Sequence, residues 1–584
     1  MNKSMVVAFG ALSIVGVAVA DTVTWTGGAN GLGGTWSASC WDAGHIPGPQ
    51  DTAVFEDIDR FKTLVMQGRN QTIALENDVE ILGITFKNLY GVIVAGNQKS
   101  LTLNRISAEA VTPQAGDLVN VATNKISATS LVLKGETASI GVGANHVLDI
   151  ASYSLIANEG TSIEKTGSGP LILSGYFIEP AKPETTGIWV KEGQLLRTGS
   201  GYPALKVGRL VVGGDGHSAS VEFGPGTHAT KFLSWCEIDV RAGGLVRLGS
   251  NPPAELYQER LVIDHGEVDA SGAQFTMSND NATPDQAAEY VFDGGVFRNG
   301  SILLNSASPE GKLTIRAAAV TSYLYGALKT TFGNGSDIDV PNGSAPVDFV
   351  IVGDLSAGNR YFHKTGAGTL VVRCTEQIST WSGAAGRPFE VNGGAFYFES
   401  SETAGIGMGT NNVVVAAGAT YGAVGRHVGA YVNLRGDIGN VILNGAAETE
   451  TKTTFAIGRI DVETGALAHG TYVIGSEEHV GNVTFNTAGT LKIAADASGV
   501  SGLVVNGTFT LSGNDELAIV GPADPRQILP GTYEIVKTKE PMNEDFASVT
   551  YNGGALPSNL KVRKVSSTLI TLRAAPKGLS VVLR

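Results

Sequence analysis

Short apolar segments recur along the chain of 584 residues, and each ends at a glycine turn that leads into the next segment. In the second half of the chain these turns lie at Gly393, Gly418, Gly445, Gly465, Gly489, Gly507 and Gly531. Their spacing averages about 23 residues, which is typical of a protein built from stacked structural repeats.

The segments beside the turns are short and rich in Val, Thr, Tyr and Phe, as in VVVAAGATYGAV (413–424) and LVVNGTFTLSG (503–513). This composition and the alternation of apolar with polar positions predict β-strands. Strands joined by tight turns at a fixed period predict an all-β fold, a right-handed parallel β-helix (solenoid) with capped ends. A row of antiparallel β-sandwiches is the alternative.

Composition excludes several other classes of protein. Glycine supplies 77 of the 584 residues, and glycine costs about 1 kcal/mol per helical position relative to alanine, which argues against a helix-rich chain. A hydrophobic content of 42% is enough to bury a core, which argues against disorder. Acidic residues outnumber basic ones by 55 to 41, and this excess opposes binding to nucleic acid.

The N-terminal segment 1–20 has the pattern of a secretory signal peptide. Lys3 precedes an apolar run from Met5 to Val19, and Ala18-Val19-Ala20 forms a small-x-small cleavage site. We therefore expect an exported protein that is on the cell surface, associated with an outer membrane, or extracellular. No other apolar stretch is long enough to indicate a membrane-spanning helix, so we expect no membrane span in the mature chain.

After the signal peptide (1–20), the sequence predicts an N-terminal Trp/Gly-rich cap (21–60), a parallel β-solenoid (61–524) and a C-terminal β cap (525–584). Caps are expected because the ends of a solenoid expose unpaired strand edges. Trp36 and Trp41 belong to the N-terminal segment. Their rings either pack within the cap or form an aromatic platform that binds sugars.

The three cysteines, Cys40, Cys236 and Cys374, lie far apart in the sequence. Their wide spacing excludes a local Cys-x-x-Cys metal or redox motif. Buried free thiols are the expectation, although export would permit one disulfide, and the sequence leaves that pairing open.

Two longer copies of the repeat share a motif. IEKTGSGPLILSG (163–175) precedes GIWVKEGQLL (187–196), and FHKTGAGTLVVRC (362–374) precedes FEVNGGAFYF (389–398). This arrangement resembles the autotransporter-associated β-strand repeat, which implies a passenger-type β-helix. The resemblance covers the repeats alone. The segment after Gly531 is too short to form the C-terminal translocator barrel, so we expect this chain to lack it.

An enzymatic β-helix would need carboxylates that converge on one face. Two series have the spacing of stacked coils: Asp437, Asp461 and Glu463, and Asp239, Asp264 and Asp293. Asp264-His265 and Glu477-Glu478-His479 also juxtapose acids with imidazoles, but neighbouring residues of a strand point to opposite faces. No zinc or phosphate-loop motif occurs. We therefore predict no catalytic residue, no metal site and no cofactor.

The sequence thus predicts a non-enzymatic, exported structural or adhesive protein. Glycans or other cell-surface components are the expected partners, and Trp36 and Trp41 are the candidate ligand-binding residues. The alternatives are a polysaccharide-active β-helix enzyme, either a lyase or a hydrolase, and a carbohydrate-binding module. The oligomeric state is not predicted.

Overall fold

The computed structural model is almost entirely β-structure, with parallel strands stacked into coils. It describes residues 21–27, 33–57, 71–113, 121–158, 160–175, 177–178, 186–198, 207–224, 237–249, 255–258, 260–277, 289–304, 312–330, 336–356, 362–374, 389–400, 412–427, 441–444, 452–476 and 480–576. The predicted signal peptide, the acid–imidazole segment 477–479 and Cys236 lie outside these residues. The chain divides into an N-terminal unit, Met1–Tyr176, and a C-terminal unit, Phe177–Arg584.

In the N-terminal unit each coil contributes strands to three faces, and strands of one face pair in parallel with those of the next coil. The first face consists of β1 (Thr22–Trp25), β3 (Thr52–Glu56), β6 (Gly83–Lys87), β8 (Arg105–Ala108), β10 (Thr137–Val142) and β13 (Ser162–Thr166). The other two faces consist of β2 (Gly33–Thr35), β4 (Gln71–Ala74), β5 (Val79–Glu80), β7 (Val92–Leu103), β9 (Ala122–Leu133), β11 (His146–Ile150), β12 (Ser154–Ala157) and β14 (Leu171–Leu173).

The C-terminal unit has the same three-faced plan. Its first face consists of β16 (Gly187–Val190), β18 (Arg209–Val212), β20 (Glu237–Val240), β23 (Arg260–Asp264), β26 (Glu289–Asp293), β28 (Lys312–Ile315), β30 (Ser336–Asp339), β33 (Phe362–Thr365), β35 (Phe389–Val391), β37 (Val413–Val415), β39 (Val441–Leu443), β44 (Val483–Phe485) and β47 (Phe509–Thr510).

The second and third faces of this unit follow the same stacking. They consist of β15 (Phe177–Ile178), β17 (Gly193–Arg197), β19 (Ala219–Phe223), β21 (Gly244–Leu248), β22 (Glu255–Gln258), β24 (Glu267–Asp269), β25 (Gln274–Met277), β27 (Val296–Leu304), β29 (Ser322–Thr330), β31 (Phe349–Val352), β32 (Leu355–Ser356), β34 (Thr369–Arg373), β36 (Ala395–Glu399), β38 (Thr420–His427), β40 (Thr453–Ile457), β43 (Thr471–Ile474), β45 (Gly489–Ala494), β46 (Gly502–Val505) and β48 (Glu516–Val520). The predicted parallel β-solenoid is therefore confirmed, while the hand of its coil stays a prediction.

Strand pairing sets the length of a coil. Ile238 pairs with Leu261, and Leu261 pairs with Tyr290 on the following coil, which is the longer of the two. The coils therefore vary around a length slightly above the predicted period. Many of them turn a corner between the first and second faces at a glycine with positive φ, such as Gly243 (φ 76°) and Gly418 (φ 74°). Glycine adopts this left-handed conformation without the Cβ clash that other residues meet.

Side chains alternate between the interior of the coil and the outside. In β11 (His146–Ile150), for example, the first, third and fifth residues are buried and the others are half-buried. The interior is filled mostly with Val, Ile, Leu and Phe from successive coils. Stacking these residues in register buries apolar area, the main favourable contribution to folding.

The described part of the chain ends in antiparallel pairing. A 3₁₀ turn at Pro525–Gln527 precedes β49 (Gly531–Thr538), β50 (Ser548–Tyr551), β51 (Gly554–Ala555), β52 (Leu560–Ser566) and β53 (Leu569–Ala574). β53 pairs antiparallel with both β49 and β52. This change of direction begins within the segment predicted as the C-terminal cap, although the predicted domain boundaries stay predictions. None of the residues described belongs to a helix long and apolar enough to cross a membrane.

One hairpin leaves the stacked coils of the C-terminal unit. β41 (Arg459–Ile460) pairs antiparallel with β42 (Leu467–Ala468). Ile460 and Val462 form a buried apolar cluster with Val350, Val371 and Tyr397, which come from the second face of the solenoid. The hairpin therefore covers an apolar patch on the outer side of that face.

Candidate functional site

The tryptophans of the N-terminal segment pack against one another. Trp41 lies 5.0 Å from Trp25 and 5.0 Å from Trp36, measured between ring centroids, and its indole nitrogen donates to the Trp36 carbonyl at 3.0 Å. Trp36 is 3% exposed and Trp41 is 5% exposed. Neither indole presents a face to solvent in this arrangement, so the geometry favours packing. Sugar binding at these two residues remains an untested prediction.

The lysines of the two KTG motifs point into the solenoid. Lys364 pairs in register with Ile338 on one side and Val391 on the other, and Lys165 pairs with Ile140. Both lysines are fully buried. The sequence did not reveal this orientation, because a lysine in an alternating strand is normally assigned to the outside.

Each buried ammonium group donates to a carbonyl oxygen of the turn that follows it, and Lys364 also reaches the corresponding turn of the next coil. Nζ of Lys364 donates to Thr365 at 2.8 Å, Gly366 at 2.9 Å and Gly393 at 3.0 Å. Lys165 donates in the same way to Gly167. Burial lowers the pKa of Lys364 to about 8, although the charges of Asp339 and Asp348 oppose that shift. The lysine of the second motif therefore links the corner of its own coil to that of the next coil through hydrogen bonds.

On the outer surface of the C-terminal unit, two rows of charged side chains alternate in sign over four successive coils. On the first face the register runs Arg209, Glu237, Arg260, Glu289, and on the second it runs Glu222, Arg247, Asp269, Arg298. We call these two rows the charge ladders. Glu237 lies 3.3 Å from Arg209 and 3.1 Å from Arg260, which shows direct pairing along the first ladder.

The carboxylates Asp239, Asp264 and Asp293 do not form one ladder. Asp239 pairs in register with Val262, which precedes Asp264 on the same strand. Its Oδ2 accepts hydrogen bonds from Arg209 at 2.6 Å and from Arg241 at 3.0 Å, and the residue is 4% exposed. The prediction of a threefold series is therefore wrong, because a spacing of about one repeat does not ensure the same register when coils differ in length.

Asp264 and Asp293, by contrast, are direct partners on adjacent strands. His265 follows Asp264 at a corner and has φ 57°, so the strand ends before it. Its Nδ1 consequently lies 2.7 Å from Oδ1 of Asp264. The expectation that these neighbours point to opposite faces is wrong here, because it applies only to an extended strand. One ligand atom from each of the three residues lies within 4.8 Å of the others.

The other predicted series also fails as a ladder of stacked strands. Asp461 belongs to the turn of the hairpin, where its Oδ1 accepts hydrogen bonds from the backbone amide and the hydroxyl of Thr464, at 2.8 and 2.7 Å. Those bonds lower the pKa of Asp461. Glu463 lies in the same turn, and Asp437 is outside the described residues. The local fold therefore uses Asp461 as a turn residue.

A cleft of about 610 Å³ lies beside this hairpin in the C-terminal unit. Its lining combines small apolar residues with Asp461, Asp496, Gln527 and Asn552. Oδ2 of Asp496 accepts from the backbone amide of His469 at 2.9 Å and from Nδ1 of its ring at 2.8 Å. Burial alone would raise the pKa of Asp496, but the hydrogen bonds from His469 and neighbouring amides lower it. Both carboxylates of the cleft therefore accept hydrogen bonds from other groups of the protein.

The thiols that the structure describes are both free. Cys374 is buried, as the sequence predicted, whereas Cys40 is only half-buried. Burial raises the pKa of Cys374 to about 12, so its thiol stays protonated and unreactive near neutral pH.

Comparison with known proteins identifies no family for the chain. No family model matches the chain, and no curated protein matches its sequence. The stacked parallel coils are consistent with a passenger-type β-helix. An association with autotransporters stays a prediction that rests on the repeat motif alone.

Proposed function

We propose that the protein is an exported, non-enzymatic structural or adhesive β-solenoid. The observation that carries this proposal is the pairing of outer charges along the two charge ladders. In the charge ladders each charged residue is in register with at least one residue of opposite sign on a neighbouring coil. Such a surface supports a stable scaffold better than a reactive centre.

The state of the acids near the cleft also supports a non-enzymatic role. A glycosidase needs one carboxylic acid with a raised pKa to protonate the leaving group. The pKa values of Asp461 and Asp496 are instead lowered by hydrogen bonds, from Thr464 of its own turn for Asp461 and chiefly from His469 for Asp496. Both groups are therefore ionised at neutral pH and engaged in holding loops.

The location can be tested by cell fractionation combined with protease shaving of intact cells. We expect the full-length chain to be processed at Ala20 and to be found on the cell surface or in the medium, where added protease removes it. An intracellular, protease-resistant protein that retains the segment 1–20 would contradict both export and a surface role.

A carbohydrate-binding function is the second candidate, and the cleft favours it. Asp461, Asp496, Gln527 and Asn552 supply hydrogen-bonding groups in a concave surface, which is the kind of site that small ligands occupy. A glycan array probed with the purified mature chain tests this function. Binding that is lost in Gln527→Ala and retained in the control Gln194→Ala would place it in the cleft, whereas equal binding by both variants would exclude the cleft.

The enzymatic alternative has its own experiment. The mature chain is incubated with acidic and neutral polysaccharides, and reducing or unsaturated ends are measured. We expect no release of such ends. Release that disappears in Asp461→Asn or Asp264→Asn would overturn the non-enzymatic proposal.

A further inference from the structure

One place in the C-terminal unit breaks the alternation of charge between coils. Asp264 and Asp293 are direct partners on β23 and β26, so two carboxylates of like sign face each other. Like charges directly opposite one another destabilise paired strands. Arg316 lies 3.5 Å from Asp293 and offsets part of this repulsion, and it is itself about half exposed.

An imidazole stands beside the two carboxylates. The left-handed conformation of His265 turns its ring toward Asp264, and its backbone amide donates to the Asp293 carbonyl at 2.8 Å. A Cβ placed on Gly294 would lie 3.0 Å from Nε2 of His265, so the ring packs directly over that glycine. The imidazole therefore lies beside the acids of two successive coils.

We propose that Asp264, His265 and Asp293 form a site for a divalent transition-metal ion of the zinc class. Zinc takes imidazole nitrogen and carboxylate oxygen ligands at about 2.0–2.2 Å, with ligands roughly 3.4 Å apart around a tetrahedral ion. The three ligand atoms already lie within 4.8 Å of one another. Asp264 and His265 are more than 40% exposed, so their side chains can rotate by the remaining distance and the ion can enter from solvent.

The ligand set distinguishes this ion from the hard cations. Calcium takes six to eight oxygen ligands, and magnesium is bound through carboxylates and water, whereas imidazole favours zinc, copper and nickel. Three protein ligands leave a fourth position for water. The ion would join two adjacent coils and relieve the repulsion between their carboxylates.

The test uses the full mature chain, freed of metal with a chelator and titrated with Zn²⁺ in a calorimeter. His265→Asn is the key variant, because asparagine tolerates positive φ and so preserves the corner while removing the imidazole. We expect His265→Asn and Asp293→Asn each to lose one equivalent of bound Zn²⁺. Unchanged stoichiometry and affinity in His265→Asn, or an absence of Zn²⁺ binding by the wild type, would overturn the proposal.

A second cluster of the same composition needs a control. Asp21, His45 and Asp51 in the N-terminal unit also place ligand atoms within 4.8 Å of one another. His45→Asn should retain the equivalent that His265→Asn loses. If His45→Asn alone abolished all Zn²⁺ binding, the ion would belong to the N-terminal cluster and the proposal would be wrong. A preference for Ca²⁺ over Zn²⁺ at the same residues would also contradict it.

Hydrogen exchange provides a readout that is independent of stoichiometry. An ion that binds the two coils only in their folded state lowers the population of the locally open state by a factor of about [Zn²⁺]/Kd. Amide exchange is slowed by the same factor, about 100-fold at 100 times Kd. We expect this protection in 260–269 and 289–298, and its absence from the same peptides of His265→Asn. Zn²⁺ that binds without protecting either segment would contradict a bridge between the coils.

Discussion

Because the lysine of the second KTG motif is buried, the stability of the C-terminal unit should increase with pH in the alkaline range. Lys364 has a pKa of about 8 in the folded protein, below its usual 10.5. Between these two values the unfolded chain binds more protons than the folded one, so stability rises with pH. Above the unfolded pKa the lysine is neutral in both states and its burial carries no charge penalty. The penalty grows as pH falls and is complete below the folded pKa.

The magnitude follows from the two pKa values. One pKa unit corresponds to about 1.4 kcal/mol, so the gain in unfolding free energy between pH 7 and pH 10 is about 2.5 kcal/mol. Lys364→Met removes this titration. At pH 7 the substitution has two opposing effects, because it relieves the burial of a cation but leaves the Gly366 and Gly393 carbonyls without the ammonium donor. Since unsatisfied carbonyls cost about 1–3 kcal/mol each, the two effects nearly cancel at that pH.

Denaturant unfolding followed by circular dichroism at pH 7, 8, 9 and 10 measures the effect as the difference between the wild type and Lys364→Met. Other groups that titrate in this range cancel in that difference. Lys329→Met is a matched control, since the Lys329 ammonium is half-buried and donates to the side chain of Gln274. The control should keep the wild-type slope. The reasoning is refuted if Lys364→Met shows the same rise with pH as the wild type.

Three further predictions are each tested by denaturant unfolding. Trp41→Ala should lower the unfolding free energy of the N-terminal unit by about 3–5 kcal/mol, because it empties the centre of the tryptophan cluster; a loss below about 1 kcal/mol would show that the cluster is not packed. Asp239→Asn should cost about 1–3 kcal/mol by weakening the charge-assisted hydrogen bonds from two arginines, and an unchanged stability would show that those bonds do not contribute to it. Gly326→Ala should destabilise strongly, because a Cβ would lie 1.8 Å from the Gly300 carbonyl oxygen, whereas Gly187→Ala has 3.7 Å of clearance and should be tolerated.

The fold was predictable because glycine corners and alternating strands are local features that repeat. Gly418, for example, is a left-handed corner where the sequence places a turn. The site was harder to predict, because register depends on the length of every intervening coil. Asp239 and Asp264 are separated by about one repeat in the sequence, yet Asp239 pairs with Val262. The spacing that identifies a repeat is therefore not accurate enough to identify neighbours across it.

Two other features depend on contacts that no local pattern encodes. His265 meets Asp264 because a residue other than glycine takes a left-handed corner, which alternation within a strand does not predict. The hairpin around Asp461 has the same alternating composition as the stacked strands. Only its packing on the apolar patch around Val350 and Tyr397 separates it from them.

Within the charge ladders the sign of the charge at a given position changes with every coil, so it depends on whether the coil is odd or even in the stack. Deleting the single coil that carries Arg260 and Asp269 would bring Glu237 against Glu289 on one face and Arg247 against Arg298 on the other. Deleting that coil together with the one before it would restore opposite signs, with Arg209 beside Glu289 and Glu222 beside Arg298. In this region the chain can therefore be shortened or lengthened at low electrostatic cost by two coils at a time, but not by one.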